Sequence, residues 1–158
     1  METSRLRPLL FVFVIVAGCG DVNVETDSFA TMNEARQRGA VDRGWVPAFL
    51  PERAYELRAA YDTDTQRRWG ILNFRTEDAG ALRGALQPDE VPLDGVTIDI
   101  PPRIEWWPIA LRNELNHETI AATGLRAYRN TTGEYLFAVN WNQGRAYYWR
   151  VPESARIP

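Results

Sequence analysis

Lysine is absent: all 18 basic residues of this 158-residue chain are arginine. A Walker-type phosphate loop and a Schiff-base mechanism both require the lysine amine, so both are excluded. The arginines themselves read either as the codon bias of a GC-rich genome or as bidentate anion binders. Histidine occurs once, as His117. No multi-histidine zinc site can be assembled from it, and it reads as a surface residue near a helix end. Serine occurs at positions 4, 28 and 154 only, and Ser28 and Ser154 fall in a tether and a tail, where no scaffold holds a triad nucleophile. The net charge of −3 carries no basic footprint, so nucleic acid is not an expected partner. What the chain does have is 45% hydrophobic residues, 25% charged residues and six each of Trp, Tyr and Phe, enough for one globular core.

The single cysteine, Cys19, stands in "VFVIVAGCG", at the end of a greasy run. Arg5 and Arg7 precede the apolar stretch 9–17, which is far shorter than the ~20 residues needed to cross a bilayer and fits a secretory signal peptide. Val16-Ala17-Gly18-Cys19 resembles the bacterial lipobox, in which small residues fit a narrow protease site and the thiol accepts a diacylglycerol. The expectation is therefore a signal peptide at 1–18, a lipidated Cys19 as the first mature residue, and export to a bacterial membrane by its acyl chains. An ordinary secretory signal that happens to contain a cysteine is the alternative. Gly20 rather than Asp follows the cysteine, which resembles sequences delivered to the outer membrane. Cleavage before Cys19 removes Arg5, Arg7 and Glu2, so the mature charge is 16 − 20 = −4. Anionic lipid repels such a body, leaving the acyl chains to hold it. With no second cysteine there is no disulfide, and stability has to come from the core.

Residues 20–28 (GDVNVETDS) are polar and read, with Cys19, as a tether over 19–28, leaving a single domain at 29–158. Thr31-Met-Asn-Glu34 is a capping box that starts a helix, with Gly39 as its stop. "RGWVPAFLP" is broken by two prolines. Pro51 suits the first turn of a second helix, "PERAYELRAAY". "DTDT" is turn chemistry and "RRWGILNFR" a strand. Thr76 caps a third helix, "EDAGALRGAL". A short strand is predicted at 96–100 and a fourth helix at 108–115. "LRAYRN", "EYLFAVNW" and "RAYYWRV", separated by "TTG" and "NQG", form a three-stranded antiparallel meander. In its middle strand Tyr135, Phe137, Val139 and Trp141 share one face. The predicted fold is α+β: a small antiparallel sheet with a C-terminal three-stranded meander and helices packed on one face.

Carboxylates and aromatics supply the remaining candidate sites. Asp62 and Asp64 form a D-x-D pair that can hold a divalent cation, although a turn between two elements selects the same residues. Asp99 and Glu105 can in principle pair as acid and base in glycoside cleavage. Arg43-Gly-Trp45-x-Pro47 reads either as a stacked pair presenting a binding surface or as a loop pinned to the core by Trp45 with Arg43 capping carbonyls. Trp106, Trp107, Trp141, Tyr147, Tyr148 and Trp149 raise the same choice. Alternation sends Tyr147 and Trp149 to one face and Tyr148 to the other. One set is expected in the core, and the other, if exposed, forms an aromatic patch suited to glycan or peptide stacking.

The stretch from Phe29 to Phe74 resembles the YbbD head domain of bacterial proteins. The likeness rests on Ala35, Gly39-Ala40, Arg43-Gly44-Trp45, Pro47, Leu50-Pro51, Ala54, Asp62-x-Asp64-Thr65 and the aromatic strand that follows. "WWP" (Trp106 to Pro108) and "AYYWR" (Ala146 to Arg150) resemble its later part. The resemblance implies a small lipoprotein and brings no established activity or catalytic residues, and no metal or cofactor is expected. The resulting expectation is a lipid-anchored, non-enzymatic envelope protein that binds a protein or cell-wall glycan, with Arg43, Trp45, Asp62, Asp64 and Trp149 as candidate surface residues. A carbohydrate-binding or carbohydrate-cleaving module is the competing expectation. It requires a groove lined by Trp and Tyr with carboxylates facing into it.

Overall fold

A computed structural model describes residues 23–98, 100–101 and 104–151. Cys19, Asp99 and Ser154 lie outside these residues.

The chain enters the fold as a strand, β1 (Val24–Thr31). Residues 24–28, read above as tether, therefore belong to the sheet. Val24, Thr26 and Ser28 point to one side and Glu25 and Asp27 to the other, a two-residue period carried mainly by polar side chains. Thr31 then caps α1 (Met32–Gln37), its hydroxyl accepting from the Glu34 amide at 3.2 Å. The Glu34 carboxylate reaches back to the Ala30 amide at 2.7 Å, a capping box displaced by one residue. Gly39 ends the helix as expected, donating to the Arg36 carbonyl at 2.8 Å.

"PERAYELRAAY" is not a helix but β2 (Tyr55–Asp62). Ala54, Leu57 and Tyr61 satisfy a helical period, while Leu57, Ala59 and Tyr61 satisfy a strand period equally well. Pairing with β1 on one side and β3 (Arg68–Asn73) on the other decides between them. Thr76–Asp78 form a single 3-10 turn without a side-chain cap, leading into α2 (Ala79–Gly84) and then β4 (Leu86–Glu90). β5 (Thr97–Ile98) and β6 (Asn113–Glu114) make a small separate hairpin. The helix predicted over 108–115 is reduced to a 3-10 turn at Ile109–Leu111. α3 (His117–Ala122), capped by Asn116, was not anticipated. The meander β7 (Arg126–Asn130), β8 (Tyr135–Asn140) and β9 (Arg145–Arg150) forms as predicted.

The main sheet has seven strands in the order β1-β2-β3-β9-β8-β7-β4. Every described pairing in it is antiparallel. β9 returns to pair with β3, which joins the first half of the chain to the meander. The class is α+β, dominated by the sheet. Its first face carries Leu57, Leu72, Tyr135, Phe137, Val139 and Tyr148 under Met32 and Ala35 of α1 and Leu82 of α2. Trp141 packs against this cluster, on the side expected of it. Its second face is covered too. Ala60, Trp69, Leu136, Ala138 and Trp149 lie under Leu93, Ile104, Trp107, Leu111 and, from α3, Ile120. β8 lies between these two cores and is buried along its whole length.

Two glycines are required by the packing. Gly70 lies directly across from Tyr148, and a Cβ there would come within 2.0 Å of the tyrosine ring. Gly144 turns the β8–β9 hairpin at φ 64°, and its Cβ would meet the Phe74 carbonyl oxygen at 2.0 Å.

Both margins of the sheet are blunted. Along β1 the Ser28 carbonyl accepts from Arg38 at 3.0 Å, the Ser28 amide donates to Asp27 and the Ala30 amide to Glu34. Arg38 in turn pairs with Asp27 at 2.6 Å. At the other margin β4 contains Pro88, which has no amide to offer.

Candidate functional site

The residues selected from sequence do not converge. Arg43 is exposed, and its guanidinium lies 4.5 Å over the Trp45 ring. Trp45 stacks on Tyr61 at 5.9 Å, and Arg68 covers Tyr61 from further in at 5.5 Å. Arg68 donates to the Tyr135 hydroxyl at 3.2 Å. The Arg43–Trp45 loop is thus pinned to the first core by a ladder of alternating cations and rings. Stacking does this work, and Arg43 caps no carbonyl among the described residues.

Asp62 is buried and accepts from the Asp64 and Thr65 amides at 2.9 and 3.0 Å, closing the turn between β2 and β3. Burial pushes its carboxyl upward, but the Thr65 and Asp64 hydrogen bonds and nearby Arg67 outweigh that and hold it below its ordinary value. Asp64 is exposed and accepts from the Asn23 side chain at 3.1 Å. No cluster of three or more metal-ligating side chains forms among the described residues. Glu105 and His117 are both exposed, and the His117 amide at the start of α3 donates to Asp94 at 2.7 Å.

Trp149 is only 5% exposed and cannot serve as a surface platform. It packs edge-on against Trp107 in the second core. One of the two alternating aromatic sets is in the core as expected, and the condition for a flat patch, exposure of the other, is not met. Tyr148 fills the first core, Trp149 the second, and Tyr147 is half-buried against the second. Tyr148 and Trp149 are internal because the sheet carries a core on each face, and Tyr147 alone of the three keeps part of its surface.

That second cover is incomplete. The described residues between 91 and 124 cover the sheet's middle, and the ends of β1, β2, β3 and β9 that carry Ala30, Glu56, Asn73 and Arg145 line an opening beside them. An open groove of about 870 Å³ remains there. Its floor follows one cross-strand row, Ser28–Arg58–Ile71–Tyr147. Trp106, half-buried and set edge-on to Trp107, forms one wall. Arg112 fixes the chain leading up to that wall, donating to the carbonyls of Ile104 at 2.6 Å and Trp107 at 3.2 Å.

A polar relay crosses the groove. The Asn73 amide group donates to Glu56 Oε2 at 2.7 Å, and Arg145 Nε donates to Asn73 Oδ1 at 2.9 Å. Glu56 reaches Asn73 because β2 is irregular between Tyr55 and Arg58, where Glu56 takes a left-handed conformation at φ 48°. An irregularity of this kind re-aims a side chain, and a non-glycine residue in that region costs of order 1 kcal/mol or more. Asn73 is buried and held at both ends, so its donor and acceptor orientations are fixed. Arg58 stands exposed beside the relay with no hydrogen-bond or ion-pair partner among the described residues.

Sequence reasoning included Trp106 and Tyr147 in its aromatic cluster but missed Glu56, Arg58, Asn73 and Arg145. The only local signal was the alternation of "RRWGILNFR", which places Ile71 and Asn73 on one face. Glu56 was hidden by the helical reading of β2, and nothing in sequence joins it to Arg145.

No curated protein and no solved structure matches this chain. The family likeness is confined to the first part of the fold, so Trp106–Pro108 and Ala146–Arg150 lie beyond it, while Glu56, Arg58 and Asn73 fall within it. Residues 23–73, the span from β1 through β3, match the family model of the YbbD head domain, so this part of the chain is similar to that family.

Proposed function

We propose that this protein is a lipid-anchored, non-enzymatic component of the bacterial cell envelope whose head binds a ligand in the groove over β1, β2, β3 and β9. The anchorage rests on the sequence Val16-Ala17-Gly18-Cys19 behind a short apolar run. Among the described residues no helix is long and apolar enough to cross a membrane. The binding role rests on one observation, the relay Glu56–Asn73–Arg145 held ready on a sheet face that the second layer leaves open.

Anchorage at Cys19 leaves little slack. Five chain steps lead from Cys19 to Val24, a reach of at most about 17 Å. The groove lies at the far end of β1, about 14–20 Å along the strand from Val24. The groove is thereby set back from the anchored end of the strand.

The carbohydrate reading has its own support in the same place, since Trp106 and Tyr147 line the groove together with carboxylates. Those carboxylates favour binding over cleavage. Asp27 and Glu34 both pair with Arg38, and Glu56 accepts from Asn73. Glycoside cleavage needs a pair of carboxyls free to face the scissile bond, whereas each of these is already engaged by a neighbouring side chain.

The anchorage is tested by Cys19→Ser in the native host, with globomycin on the wild type in parallel. Either treatment should stop processing before residue 19, and intact mass should show the wild-type N-terminus carrying acyl chains. A mature wild-type protein with an unmodified thiol, or a Cys19→Ser protein cut at the same bond and still sedimenting with membranes, refutes the assignment.

A further inference from the structure

The groove's chemistry narrows what it takes, given the reading of it as a binding surface. We infer that it is a binding site for a neutral pyranose chain, with sugar rings against Trp106 and Tyr147 and vicinal hydroxyls on the exposed ends of the relay.

Charge comes first. The charged residues lining the groove are Arg58 and Arg145 against Asp27, Glu34 and Glu56, and Arg38, outside the lining, pairs with Asp27 and Glu34. Such a site offers no net field to select an anion or a cation.

The relay supplies directional groups instead. Glu56 gives one carboxylate oxygen to Asn73 and keeps the other, while Arg145 gives Nε and keeps its terminal nitrogens. An acceptor and a donor are thereby fixed in one row, the pairing that two adjacent hydroxyls can satisfy together. A sugar hydroxyl donates to one and accepts from the other. Planar side chains locked by neighbours lose little freedom on binding, so the hydrogen bonds are not offset by ordering.

The aromatic wall supplies the apolar half. Trp106 and Tyr147 are half-buried, each backed by Trp107, whose ring lies 6.0 and 5.7 Å from theirs. Rings supported in this way stay in place while keeping surface for the C–H face of a pyranose. The groove is open rather than enclosed, and about 870 Å³ lies within the range of small-molecule sites. An open shape accepts an internal stretch of a polymer as readily as its end.

The test uses the full chain in micelles of lauryldimethylamine oxide, a detergent without sugar. Chitotetraose and cellotetraose are titrated by calorimetry and by tryptophan fluorescence, with sodium phosphate as the anionic comparison. At least one tetrasaccharide should bind with micromolar to low-millimolar affinity and shift the emission. Trp106→Ala should weaken that binding about tenfold or more. Arg58→Ala, a change at an exposed residue with no partner among the described residues, should weaken it severalfold with the fold unchanged, so the result does not depend on Trp106→Ala remaining folded. Absence of both heat and emission change with both sugars, equal affinity in both variants, or phosphate displacing the sugar overturns the inference. A photoreactive residue at position 58 separates this failure from failure of the binding role. Adducts to one envelope protein in intact cells, with no sugar bound, would keep the groove and reject the glycan, whereas neither adducts nor sugar would reject both.

Discussion

Trp149→Ala separates a buried aromatic from an exposed platform. Trp149 lies across from Trp69 on one neighbouring strand and Leu136 on the other, and meets Trp107 of the second layer edge-on at 6.1 Å. Burying an indole removes roughly 200 Å² from water, worth about 5 kcal/mol at ~25 cal/mol per Å². Measured truncations of buried aromatics cost about 3–5 kcal/mol, because the site collapses only in part. In a domain of this size that loss lowers the melting temperature by about 6–20 °C. Trp106→Ala, at a half-buried position, should cost only about 1–2 kcal/mol. Urea unfolding followed by far-ultraviolet circular dichroism measures both. A Trp149→Ala protein within about 1 kcal/mol of wild type would refute the burial argument and return Trp149 to the surface.

Gly70→Ala should destabilise by about 1–3 kcal/mol or more in the same assay, because its Cβ would enter the Tyr148 ring. In a Tyr148→Ala background the Gly70→Ala step should become nearly neutral, and equal costs in both backgrounds would disprove the cross-strand clash. Asp62→Asn should flatten the acid limb of the stability curve. The folded carboxyl titrates below its ordinary 3.8, so its stabilisation is present above that value and fades as pH falls through the lower folded value. Asparagine keeps an oxygen for the Asp64 and Thr65 amides but has no proton to gain. Unfolding midpoints from pH 5 to pH 2 should therefore fall less steeply in the variant, and parallel curves would exclude this carboxylate as a contributor.

The legible parts of this chain were those in which local chemistry and tertiary role agree. The meander was readable because β-branched and aromatic residues alternate between "TTG" and "NQG", and α1 because Thr31 and Glu34 carry a capping signal. β2 reads as a helix in sequence because Ala54, Leu57 and Tyr61 fit a helical period as well as Leu57, Ala59 and Tyr61 fit a strand period, and only its neighbours on either side settle the matter. β1 was missed because its alternation runs through Thr26, Ser28 and acidic residues, a pattern that propensity counts as loop. The burial of Trp149 required knowing that 91–124 folds over the second face, a contact carried by irregular chain without sequence periodicity. For the same reason the groove was invisible: its four strand ends come together through β3–β9 pairing, and the conformation of Glu56 that completes the relay belongs to an irregularity no motif announces.

The guarded margins matter most if many copies share one lipid surface. Molecules moored to a plane meet edge to edge, at effective concentrations far above those in free solution. An uncovered outer strand would then recruit its neighbour and grow a ribbon across the leaflet. Here Arg38, Glu34 and Asp27 take up the Ser28 carbonyl and the Ser28 and Ala30 amides of one rim, and Pro88 interrupts the other. On the proposed anchor, those blunted rims would work against pairing between neighbouring heads.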